Sequence, residues 1–104
     1  MMKSNEIITV AQETIHPEDR GVLTLEYFLV PTTGPEEETL YKLRVDMRNA
    51  AGELTERQDS KPLTGSLKEA TALAEKFAAG TVTPCVLQEM VDEWFHPEGV
   101  KQAV

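Results

Sequence analysis

The chain has 104 residues, with 18 acidic against 10 basic side chains and a net charge of −8; 40% of it is hydrophobic and 27% charged. This is the composition of one folded domain of ordinary size, and it excludes a disordered chain. The acidity disfavours nucleic acid as a partner, and no apolar run approaches the ~20 residues of a membrane-spanning helix. One cysteine leaves no internal disulfide to form. No apolar stretch follows residues 1–6 as a leader would, so a cytoplasmic protein is expected.

Residues 5–15 are rich in β-branched side chains and read as a first strand. Residues 16–21, HPEDRG, are a turn. A second strand over 22–30 puts Leu23, Leu25, Tyr27 and Leu29 on one face, and Val22, Thr24, Glu26, Phe28 and Val30 on the other. After a loop at 31–38, residues 40–48 alternate most cleanly. Tyr41, Leu43, Val45 and Met47 share one side, and Lys42, Arg44, Asp46 and Arg48 the other. Setting Val30 opposite Leu40 would place Leu25 against Val45, Thr24 against Asp46 and Glu26 against Arg44, which is the expected register. Residues 49–52 form a four-residue hairpin loop. Residues 53–59 form a polar fourth strand suited to an edge, and residues 60–65 are a linker.

Ser66 and Glu69 have the spacing of a capping box. Leu67, Ala70, Leu73, Ala74, Phe77 and Ala78 then form one helical stripe. Gly80 is expected to end this helix at the left-handed position after its cap. Pro84 opens a second helix, whose stripe is Leu87, Met90, Val91, Trp94 and Phe95. Pro97 and Gly99 stop it.

The expected architecture is α+β. An antiparallel meander of three to four strands over 5–59 is followed by a two-helix hairpin over 66–95, packed on one sheet face as a two-layer sandwich. Residues 97–104 are a flexible tail. Tyr27, Leu43 and Val45 should lie beneath Phe77 and Trp94, with Phe28 on the reverse.

Several landmarks recur together. A strand opens Leu25-Glu26-Tyr27-Phe28-Leu29, a third strand starts at Tyr41, and a helix leads through Val82-Thr83-Pro84 into a short acidic helix. In that order the chain resembles an uncharacterised family of short bacterial proteins, a domain of unknown function, over roughly residues 20–95. The resemblance implies the architecture and carries no activity, cofactor or site.

The residues themselves offer little chemistry. Cys85 stands one residue after Pro84 in the first turn of a helix, where a thiolate is favoured, although Glu89 one turn on opposes it. His16, His96 and Cys85 form no zinc pattern. Glu36, Glu37 and Glu38 sit in a loop, and Glu89, Asp92 and Glu93 on a hydrated helix face. No glycine-rich phosphate loop occurs. No catalytic, cofactor or metal site is expected. Val22, Phe28 and Val30 are the anomaly, being apolar residues on the sheet face that should be wet. They point to a protein partner or a homodimer, and hence to a small non-catalytic interaction or regulatory domain. The other reading is a small-molecule-binding protein or enzyme with a site between helices and sheet near Cys85.

Overall fold

A computed structural model of the chain describes residues 6–19 and 21–95. Strands β1 (Ile8–Ile15), β2 (Leu23–Thr33), β3 (Thr39–Arg48) and β4 (Leu54–Asp59) form one antiparallel sheet in chain order. Helix α1 (Leu67–Ala79), a 3-10 turn at Pro84–Val86 and helix α2 (Leu87–Phe95) follow. The fold is the expected α+β meander with helices on one face. The expectations for His96, for the Phe95 side chain and for a tail over 97–104 lie outside the described residues.

The period-2 pattern sets the layers. Leu25, Tyr27, Leu29, Leu43 and Val45 are inaccessible to solvent, and Leu23 and Met47 nearly so. They pack against Ala70, Leu73, Ala74, Phe77 and Ala78 of α1 and against Val82, Leu87 and Val91. The Tyr27 hydroxyl donates to the Val82 carbonyl at 2.8 Å, pinning the sheet to the turn between the helices. Burial, and then the nearby Glu13 carboxylate, push the Tyr27 phenol well above its ordinary range.

The strand pairing corrects the expected register. Leu25 lies opposite Met47, Glu26 opposite Asp46, Tyr27 opposite Val45 and Phe28 opposite Arg44. This is a two-residue shift, so every side chain keeps its face and only the pairs change. The cause is that β2 and β3 run on to Thr33 and Thr39, leaving a turn at residues 34–38. That turn is closed by the Gly34 N–H on the Glu38 carbonyl at 2.8 Å. Pro31 is tolerated inside β2 because its partner Tyr41 uses its backbone on the other side. The Tyr41 N–H donates to the Thr64 carbonyl, and the Tyr41 carbonyl accepts from the Leu63 N–H.

The linker is therefore ordered against β3. Ser60 is buried, and its hydroxyl accepts from the Leu43 N–H at 3.0 Å and donates to the Lys61 carbonyl at 2.8 Å.

A bulge in β1 resolves its mixed apolar pattern. Thr9 pairs with Phe28 but Ala11 pairs with Tyr27, so Val10 is an extra residue. The parity switches there, and both Ile8 and Ile15 reach the core side.

Both helix caps differ in detail from expectation. Ser66 Oγ accepts from the Glu69 N–H at 3.1 Å, as a cap should. The return bond runs through Thr64, whose hydroxyl accepts from the Ser66 N–H and donates to Glu69 Oε1. At the other end Gly80 has φ −92°, and Thr81 takes the left-handed position with φ 50°. The Thr81 N–H donates to the Ala78 carbonyl and the Val82 N–H to the Phe77 carbonyl, a Schellman motif built on threonine. A β-branched residue is strained at that φ.

The helices contact the sheet more than each other. Helix α1 lies over β1, β2 and β3, while the 3-10 turn and α2 lie towards β4. This overturns the placement of Trp94 in the core, since it is 45% exposed. The core-side positions of β4, Glu56 and Gln58, are exposed, and α1 and α2 do not close on each other, so Trp94 stands at the edge of an open cavity beside Leu63, Ala70 and Leu73. Leu67, also expected in the stripe, is exposed as well.

Candidate functional site

The outer sheet face carries the candidate interface. Phe28 and Val30 are half-buried there, and Ile7, 48% exposed, joins Phe28 in lining a shallow cavity of about 150 Å³ with Arg44, Asp46, Arg48 and Arg57. Val22 is exposed but stands just before β2, six residues from Phe28. At the rise of an extended strand that is about 20 Å, so Val22 does not belong to the same patch.

Around this patch runs a lattice of ion pairs built by the register. Arg48 Nε donates to Glu26 Oε1 at 2.9 Å. Arg57 holds Asp46 with both arms, at 2.8 and 2.9 Å. Arg44 holds Asp59 likewise at 2.7 and 3.0 Å, and Lys42 adds a contact at 3.2 Å. The hydrogen bonds from Arg44 hold the Asp59 carboxyl below the usual aspartate range, aided by Lys42 and opposed by burial. Asp46, on the side expected to be wet, is 1% exposed.

The lattice uses four of the ten basic residues (Lys42, Arg44, Arg48, Arg57) and three of the 18 acidic ones (Glu26, Asp46, Asp59). Four cations against three anions leave this face at +1 on a chain of −8. Sequence reasoning found Phe28 and Val30 but missed Ile7 and the buried Asp46. The bulge at Val10 hid the first, and uniform alternation of charges hid the second.

Cys85 is exposed in the 3-10 turn, with its sulfur 3.6 Å from the Thr83 hydroxyl. It lines neither the outer-face cavity nor the larger one, of about 380 Å³, bounded by Leu63, Leu73 and Trp94. His16 is exposed beyond β1. Among the described residues no three His, Cys, Asp or Glu side chains group as metal ligands, and no helix is long and apolar enough to cross a membrane.

A family of unknown function, DUF6514, matches residues 6–96, which takes in the whole described sheet and both helices. The chain belongs to this family. No curated protein matches it, and no solved structure does. The DUF6514 match thus spans both the outer-face lattice and the interhelical cavity, and assigns a role to neither.

Proposed function

We propose that this DUF6514 protein is a small non-catalytic interaction or regulatory domain that pairs through its outer sheet face with a second copy of itself. The observation that carries this reading is the combination of apolar Ile7, Phe28 and Val30 with a lattice that is nearly neutral on a chain of −8. Two such chains repel each other wherever acidic surface meets acidic surface, and this face lacks that penalty. The ion pairs also fix the long side chains in advance, which lowers the entropic cost of contact. A cytoplasmic location fits the single cysteine, free of any disulfide, and a bacterial source fits the resemblance drawn from the sequence.

Light scattering across a concentration series tests the reading. The expected mass is twice 11.6 kDa for the unaltered chain and 11.6 kDa for Ile7→Glu and Phe28→Glu. Ile7 is already exposed, so its variant keeps the fold, as circular dichroism would verify. A wild-type chain that stays at the single mass into the hundreds of micromolar, or variants that remain dimeric, would overturn the proposal.

A further inference from the structure

The cavity between the helices lies apart from the outer face. Leu63, Ala70 and Leu73 form its apolar base, Trp94 its wall, and Thr64, Glu69 and Ala72 its remaining rim, enclosing about 380 Å³. It exists because α1 and α2 rest on different parts of the sheet and do not close on each other. Its size falls within the range of small-molecule sites, which begins at roughly 300 Å³.

Its polar equipment is specific. Glu69 is the one charged residue in the lining. Oε1 of that carboxylate accepts from the Thr64 hydroxyl at 3.2 Å, and that hydroxyl is itself fixed by the Ser66 N–H at 3.1 Å. The carboxylate is thereby oriented, with Oε2 left for an incoming group. The Lys76 ammonium stands 5.4 Å from the centre of the Trp94 ring and steadies it without lining the cavity.

We infer that this cavity binds a small molecule with an aromatic or aliphatic body and a cationic nitrogen. The body packs on Leu63, Leu73 and the Trp94 ring, whose exposed surface it removes from water. The nitrogen donates a charge-assisted hydrogen bond to Glu69. An anionic analogue would meet the same carboxylate on a chain of −8 and be rejected.

Trp94 is the only tryptophan, so its emission reports on the cavity wall directly. Titrating the full chain with phenethylammonium chloride should give a saturable change in Trp94 fluorescence, and 3-phenylpropionate should give none. Glu69→Gln should weaken phenethylammonium about tenfold, the effect of losing one charged hydrogen bond. Ala72→Phe, at an exposed position of α1, should fill the cavity and abolish the response. No saturable change, an equal response to phenylpropionate, or unaltered affinity in either variant would overturn the inference. The solution mass that tests the outer-face contact is indifferent to all of these outcomes.

Discussion

The two faces of one sheet solve opposite problems with the same alternation. Across β2 and β3 the inner face, from Leu25 to Met47, is a buried apolar surface, and two helices pack on it. Among the described residues no layer covers the outer face, yet Asp46 on it is as inaccessible as the core leucines. There, long side chains from neighbouring strands lie down over one another and shield what the backbone leaves bare. Burial therefore does not require a second layer. It requires neighbours long enough to cover the group and a partner for any charge that is covered.

This contrast can be broken most sharply by comparing truncations on adjacent residues. Leu25→Ala should cost about 2–5 kcal/mol in urea unfolding, and Phe28→Ala clearly less, because Phe28 is only half-buried. Equal losses would make the outer face a second core. Next in size is Arg57→Ala, which strands the buried Asp46 carboxylate. Breaking a fully enclosed pair costs about 3–5 kcal/mol. Arg57 is itself 45% exposed, so about 2 kcal/mol is expected, with Asp46→Asn restoring part of it in the double variant. Additive losses from the two changes would show that the pair contributes nothing.

The smallest effect lies in acid. Asp59 is held below the ordinary aspartate range, so its contribution is complete above the unfolded-state pKa. It disappears as pH falls through the lower folded-state value. Urea midpoints from pH 6 to pH 2.5 should fall less steeply for Asp59→Asn than for the unaltered chain, and parallel curves would remove the lattice from any role in acid stability.

Much of the fold was legible in the residues, for identifiable reasons. A period of two cannot put Tyr27 and Phe28 on the same side, so the layers followed once strands were recognised. The register did not follow, because Pro31 and the two threonines after it read as loop, and nothing local shows that Tyr41 turns its backbone away from them. The stripe misplaces Trp94 because helical spacing reports what could be buried, and the separate seats of α1 and α2 on the sheet, which leave a cavity beside Trp94, decide what is. The outer patch was half legible through Phe28 and Val30. The interhelical cavity was not, since residues 63–64, 69–73 and 94 meet only in three dimensions.

The additional residue at Val10 has a consequence for how large an assembly could grow. It kinks one lateral border of the sheet, while Glu53, Glu56 and Arg57 guard the other with charge, so neither border offers a straight template on which further chains could stack. In the proposed dimer, contact through the broad side would consume that side in both molecules, so association would stop at a closed pair and not propagate into a filament.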